Sequence, residues 1–277
     1  MTSWLSPPAR SRTRAGSPAR WLAVGIAGLL AVLPAAARAS AADDAQRCAV
    51  PAELDPADEP LQGLAKTLTN GSSPKTIVVL GPQASGAKNV DGVIGYPARL
   101  QARLASDLGP ALDGRTINVE TIGQLRGSVG ELAGLIQRQV LPLKPALVVW
   151  QVGRADARRG HATYRFGQDL KQGLDALQQR GIDTILIDIQ YHPQFEALYR
   201  TDEYRRYLRR IAGMRNVPLL RRYQMIEYWE SAGAIDLDSA SREVQQRSFE
   251  FIQDCLAYQL SRLIAAGVHS TRPAPPR

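Results

Sequence analysis

The chain contains, at residues 146–152, the stretch Ala146-Leu-Val-Val-Trp-Gln-Val152, which is apolar along nearly its whole length. Continuous apolar strands are typical of parallel sheets that are covered on both faces. Other short apolar runs lie on both sides of this stretch, most of them rich in β-branched residues. The predicted strands are residues 76–81, 116–122, 146–152, 184–189 and 217–220.

Helical patterns alternate with these strands. Leu100, Leu104 and Leu108, for example, recur at the spacing of one helix face. The predicted helices are residues 96–108, 128–140, 166–179, 202–212, 222–231 and 241–266, with a further short one at 61–68. Strand–helix alternation with right-handed crossovers predicts an α/β fold: a three-layer α/β/α sandwich around a five-stranded parallel sheet.

Ligands of such sheets bind beyond the carboxyl ends of the strands. The loops expected at that edge are residues 81–95, 123–127, 153–160 and 190–195. Three of them begin with a glycine directly after a strand: Gly81, Gly123 and Gly153. Glycine lets the backbone turn sharply and present N–H groups to a ligand. None of these loops has a P-loop or G-x-G-x-x-G pattern, so we expect no nucleotide cofactor.

The first 41 residues have the pattern of a secretory signal peptide. Arginines precede an apolar run at residues 21–33, which is shorter than the about 20 residues of a spanning helix. Small residues then form cleavage patterns that end at Ala39 and Ala41. We expect cleavage after one of these alanines, no permanent membrane span, and a periplasmic or secreted mature protein.

The predicted organisation has four parts: the signal peptide 1–41, a lead-in segment 42–75, an α/β domain 76–267 and a flexible tail 268–277. The chain has two cysteines, Cys48 and Cys255, and both lie in the mature part. An even pair in an oxidising compartment predicts a disulfide. Neither cysteine has a second Cys or a His at metal-ligand spacing, so we expect no metal site.

The formal charge of +8 comes largely from the signal peptide. Without residues 1–41, which hold five arginines and no acid, 29 basic and 26 acidic side chains remain, a charge of +3. This balance gives no support for nucleic-acid binding. Arginine pairs such as Arg158-Arg159 are expected on solvated helix faces. The alternative is that they bind an anionic glycan or a lipid headgroup.

Several motifs resemble the SGNH, or GDSL-type, hydrolases, and a secreted bacterial branch of them most of all. They are TIVVLG (76–81), GYPARLQARL (95–104), LKPALVVWQVG (143–153), QQRGIDTILIDIQY (178–191) and DCLAYQL (254–260). The resemblance covers about residues 48–266. It implies a flavodoxin-like sheet of strand order 2-1-3-4-5, and hydrolysis of esters or acyl groups on lipids or carbohydrates without a cofactor.

The catalytic residues of that family do not carry over to this chain. The nucleophilic Ser would stand at Gln83, and the Asn that binds the oxyanion would stand at Ala155. The glycine that helps bind the oxyanion is kept, as Gly123. The late Asp-x-x-His falls on residues 244–247, Val-Gln-Gln-Arg, and no His lies between His192 and His269. We therefore expect a degenerate site.

Other polar residues of the same loops offer substitutes. Ser85 is the alternative nucleophile, and His192 or His161 the alternative base. Asp156 is expected to brace its own loop. Asp188, Gln190 and Tyr191 could line a polar pocket. The former active-site cleft is thus predicted to comprise Gln83, Ser85, Gly123, Gly153, Ala155, Asp156, Gln190, Tyr191 and His192.

Three classes of function remain open from the sequence. The first is a non-catalytic domain that binds an acylated carbohydrate, a lipid or another envelope component in the former cleft. The second is an active ester hydrolase with relocated residues. The third is a structural or assembly protein whose cleft has no role. Since nucleophile, oxyanion donor and base are all replaced, the first is the prediction.

Overall fold

The structure is a computed structural model, and it describes residues 42–55, 60–69, 75–81, 93–112, 116–124 and 126–269. The predicted signal peptide 1–41 lies outside the described residues, as does most of the predicted tail. Among the described residues, no helix has the length and apolar character needed to cross a membrane.

Five parallel strands form one sheet in the order β2-β1-β3-β4-β5, which confirms the predicted fold class. Every residue of the central strand β3 is buried, because helices cover it on both faces. The strands are β1 Lys75–Gly81, β2 Ile117–Gly123, β3 Leu147–Gln151, β4 Asp183–Ile187 and β5 Leu219–Leu220.

The α-helices that flank the sheet in the described part of the chain are numbered α1 to α9. They are α1 Gln62–Thr69, α2 Tyr96–Asp107, α3 Val129–Leu135, α4 Arg154–Arg159, α5 Thr163–Gln178, α6 Pro193–Leu198, α7 Asp202–Arg215, α8 Arg222–Ser231 and α9 Arg242–His269. Shorter helical segments lie at 42–47, Ala52–Leu54, Gly109–Leu112, Ile136–Val140 and Leu141–Leu143.

The sheet separates two apolar cores. One contains β1 and β3 side chains such as Ile77 and Leu147, with residues of α1, α2, α8 and α9. The other contains the alternate side chains, such as Val78 and Trp150, with residues of α3, α5 and α7. This is the period-2 alternation of a strand that is buried on both sides.

Two loops predicted at the sheet edge contain short helices, α4 and α6. Each begins where local chemistry favours a helix start: Gly153 turns the chain with a positive φ of 96°, and Pro193 is the first residue of α6. The last helix is also longer than predicted. It continues to His269 because Val268 is buried and the carbonyl of Gly267 accepts a hydrogen bond from Leu61.

The lead-in segment belongs to the apolar core. Cys48, Leu61, Leu64 and Leu68 are buried against α9 and its neighbours. Cys48 and Cys255 form a disulfide with a Cα–Cα distance of 5.1 Å, which confirms the predicted pair. The bridge joins residues 207 positions apart, so it ties the beginning of the described chain to its last helix.

Removal of the disulfide is expected to destabilise the protein. The double variant Cys48→Ala/Cys255→Ala should lose about 5 kcal/mol of free energy of unfolding, because the unfolded chain regains the entropy of a very long loop. Denaturant unfolding of the variant, of the wild type and of the reduced wild type measures this difference. Equal unfolding midpoints for all three would contradict the prediction.

Candidate ligand-binding cleft

Glycines end adjacent strands at the carboxyl edge of the sheet. Gly81 and Gly123 are paired in register at the ends of β1 and β2. A Cβ atom at position 81 would lie only 2.8 Å from Nε2 of Gln151, so this close approach requires glycine. At the ends of β1 and β2 the predicted edge therefore carries no side chain.

Ala155 and Asp156 lie in the first turn of α4 and are buried. Ala155 was predicted at the position of the oxyanion Asn, and its methyl group offers no hydrogen-bond donor. A Cβ atom at Gly153, the residue before α4, would lie 2.9 Å from Cγ1 of Ile189. The turn into α4 is thus packed tightly against the end of β4.

Asp156 connects three parts of the edge. Its carboxylate accepts a hydrogen bond from the backbone N–H of Val129 at 3.1 Å and lies 3.1 Å from Nδ1 of His161. Burial raises the pKa of the carboxyl group, although His161 and the backbone donor oppose this effect. The His161 ring is partly exposed, and the hydroxyl of Tyr204 donates to its backbone carbonyl.

Gln190, Tyr191 and His192 follow β4 at the same edge. Tyr191 packs edge-to-face on Tyr223 with 5.1 Å between ring centroids, and burial together with the nearby Glu230 raises its pKa to about 12. His192 is the residue before α6 and half-buried. Its side chain makes no hydrogen bond to any residue in the described part of the chain.

Gln83 and Ser85 lie within residues 82–92, outside the described residues. The structure therefore gives no distance between either side chain and the histidines. Both remain predictions from their position after β1.

The segment before the last helix is held by hydrogen bonds between side chains and the backbone. Oγ of Ser248 accepts from the N–H of Asp236 at 2.9 Å and donates to its carbonyl at 3.0 Å. Oδ1 of Asp236 accepts from the N–H of Asp238. Residues 244–247, where the late Asp-x-x-His was expected, lie within the first turns of α9.

A buried polar cluster lies beneath the edge: Tyr96, Gln151, Asp188 and Arg222. The Arg222 guanidinium donates to Oε1 of Gln151 at 2.8 Å and to the carbonyl of Asp188 at 2.6 Å. The Asp188 carboxylate accepts from the N–H of Tyr223 at 2.9 Å. These bonds join β3, β4 and the start of α8.

Burial dominates the electrostatics of this cluster. It raises the pKa of Asp188 to about 7, against the opposing charge of Arg222, and raises the pKa of Tyr96 above its usual range. It lowers the pKa of Arg222 to about 10. At mildly acidic pH, burying the neutral Asp188 carboxyl group therefore costs less free energy than burying the ionised carboxylate.

Sequence reasoning placed Asp188 at the edge but missed Tyr96, Gln151 and Arg222. Gln151 was the available signal, since it is a polar residue in an otherwise apolar buried strand and such a group needs a partner. Among the described residues, no group of three or more His, Cys, Asp or Glu side chains could hold a metal ion.

Comparison with known proteins gives matches to esterases and lipases. A family model described as the non-GDSL lipase-like family matches residues 47–270. Esterase TesA of Pseudomonas aeruginosa is 31% identical over 133 residues, or 48% of this chain. The chain spans 63% of the length of that esterase.

Solved structures show the same fold at low sequence identity. A lipase/acylhydrolase from Enterococcus faecalis superposes with a TM-score of 0.53 and 16% identity, over 69% of this chain and 95% of its own. The acetyl xylan esterase AlAXEase gives a TM-score of 0.53 and 17% identity, over 68% of this chain and 99% of its own.

The substitution Asp188→Asn is expected to flatten the pH dependence of stability. Because the pKa of Asp188 is higher in the folded than in the unfolded protein, wild-type stability should fall as pH rises from about 4 to about 7. Asn stays neutral and keeps an acceptor for Tyr223, so the variant should avoid a loss on the order of 4 kcal/mol.

Denaturant unfolding at several pH values within this range measures the effect. Asp183→Asn is the matched control. Burial raises the pKa of the Asp183 carboxyl group too, but this side chain is only half-buried, and it accepts a hydrogen bond from the N–H of Leu64. Its effect on the pH profile should be smaller. If the stability of wild type and of Asp188→Asn changed with pH in the same way, the raised pKa of Asp188 would be refuted.

Proposed function

Since the chain belongs to the non-GDSL lipase-like family of SGNH-type proteins, we propose that the mature protein is a catalytically degenerate member of it. In this proposal the cleft at the carboxyl edge of the sheet binds an acylated carbohydrate, a lipid or another envelope component. The ligand is held without being hydrolysed.

The observation that carries the proposal is the segment before α9. In the SGNH hydrolases that this chain resembles, the base and its acidic partner come from a late Asp-x-x-His. Here Asp236 bonds its own segment and Ser248, no His lies anywhere near it in the sequence, and residues 244–247 are helical. Loss of one triad member alone typically costs about four to six orders of magnitude in rate.

The oxyanion position supports the same proposal. Ala155 is buried in α4, so a side-chain donor is replaced by a methyl group. Gly123 remains at the end of β2. Gln83 stands at the nucleophile position in the sequence, and its amide can donate and accept hydrogen bonds but is not a nucleophile.

We also propose that the protein acts in the periplasm or outside the cell after removal of residues 1–41. The basic and apolar pattern of that segment supports this location. The Cys48–Cys255 disulfide is a second support, since such bonds persist in oxidising compartments.

The protein is expected to show no covalent labelling by a fluorophosphonate probe and no turnover of acetyl or butyryl esters above background. The physical reason is that activated Ser chemistry needs a base, and the family base is absent from the sequence near α9. The substitution Ser85→Ala should leave both readouts unchanged. Stoichiometric labelling that Ser85→Ala abolishes would overturn the proposal.

One observation favours a second candidate function, ester hydrolysis with relocated residues. The Asp156–His161 pair, at 3.1 Å, has the form of a base with its orienting carboxylate. His192 makes no such contact with a described residue. In this alternative Ser85 is the nucleophile and His161, rather than His192, is the base.

A pair of histidine variants tests that alternative. If wild-type protein hydrolyses butyryl esters, His161→Gln should abolish turnover and His192→Gln should retain it. The reverse result would assign His192 as the base. Absence of turnover in wild-type protein rejects the alternative in either form.

A further inference from the structure

Arg154 is a cationic residue at the β3–β4 side of the cleft. It follows Gly153 at the start of α4, and its side chain is half-buried. The guanidinium carbon lies 4.1 Å from the centroid of the Phe195 ring, and Nη1 lies 3.4 Å from the carbonyl oxygen of Gln190. Arg154 therefore spans from the end of β3 to the segment that follows β4.

No carboxylate of a described residue pairs with Arg154. Ion pairs account for many of the other arginines, such as Arg159 with Glu131 and Arg215 with Asp175. The charged neighbour that acts most on Arg154 is another cation, Arg158. Burial is the main reason why the pKa of Arg154 lies below its usual range, and the charge of Arg158 adds to it.

Arg222 is a second cation whose charge interacts with that of Arg154. The charge of Arg154 contributes, after burial, to the lowered pKa of Arg222 in the buried polar cluster. Two guanidinium groups thus approach one edge of the sheet. Arg222 has the Asp188 carboxyl group as a charged neighbour, whereas Arg154 forms no ion pair with a described carboxylate. A desolvated positive charge without a counter-charge is costly, and a bound anion would offset that cost.

The guanidinium also has few partners among the residues that the structure describes. The Phe195 ring supports it from one side, while its only hydrogen bond to a described residue is the long one to Gln190. Most of its five N–H donors therefore have no protein acceptor in the described part of the chain. A planar fork of this kind matches the two oxygens of a phosphate or carboxylate.

We propose that Arg154 forms an anion subsite of the cleft that binds a phosphate or carboxylate group of the ligand. This proposal rests on the proposed function, because it names the chemical class of a group that the acylated ligand carries. Arg222 remains committed to Gln151 and Asp188, so it contributes positive potential rather than direct contact. The ligand is then an anionic acylated molecule rather than a neutral one.

Calorimetric titration at low ionic strength tests the subsite. The probes are inorganic phosphate and glucuronate, which present the two anionic groups without an ester. The variants are Arg154→Gln, Arg154→Lys and Arg158→Gln. Arg158→Gln is the matched control, because it removes the same charge one turn further along α4 from a half-buried side chain.

We expect at least one probe to bind the wild type, and Arg154→Gln to weaken that binding by about tenfold or more. Arg154→Lys should bind with intermediate affinity, because it keeps the charge but loses the planar fork. Arg158→Gln should stay within about twofold of the wild type, since the Arg158 charge lies one turn away from Arg154 and acts on the bound anion only at a distance, partly screened by solvent. The probe that binds more tightly identifies the anionic group of the ligand as a phosphate or a carboxylate.

The subsite is refuted if neither probe binds the wild type, or if Arg154→Gln and Arg158→Gln weaken binding equally. Thermal unfolding without a probe shows whether each variant folds. If Arg154→Gln does not fold, the comparison of Arg154→Lys with the wild type still tests the subsite. No ester is present, so the result is separate from that of the labelling experiment. Ester turnover would refute the proposed function and leave the anion result standing.

Discussion

Burial of β3 on both faces is the constraint on which the rest of the structure depends. A strand with no solvent-exposed residue must have neighbours on both edges and helices on both sides. The cover on one side includes the lead-in segment and α9, which the Cys48–Cys255 bridge holds together. The same constraint makes the one polar residue of β3, Gln151, bond inside the protein, where Arg222 is its partner.

That buried bond places charge beneath the cleft. Arg222 reaches both Gln151 and the carbonyl of Asp188, so the ends of β3 and β4 and the start of α8 are fixed relative to one another. The glycine ends of β1 and β2 leave that part of the edge without side chains. An apolar sheet therefore presents an edge whose chemistry comes from a few residues that follow its strands, such as Asp156 and Tyr191.

Much of the fold could be predicted because continuous apolar runs such as residues 146–152 define buried strands, and the resemblance supplied their order. The short helices α4 and α6 were missed because six residues are too few for a helical period. The edge glycines were also visible in the sequence, as was the alanine at residue 155 on which the prediction of a degenerate site partly depends. The Gln151–Arg222 bond was not, because it joins residues 71 positions apart, and the stacking of Arg154 on Phe195 depends on the same tertiary arrangement.

The central claim is that this cleft holds an acylated ligand without reacting with it. Its most direct test is the intact mass of the wild-type protein, quenched with acid after brief incubation with an excess of an activated butyryl ester. The account predicts the mass of the unmodified mature chain and release of the leaving group at the uncatalysed rate. A stoichiometric butyryl adduct that forms and then disappears as the ester is consumed would contradict it.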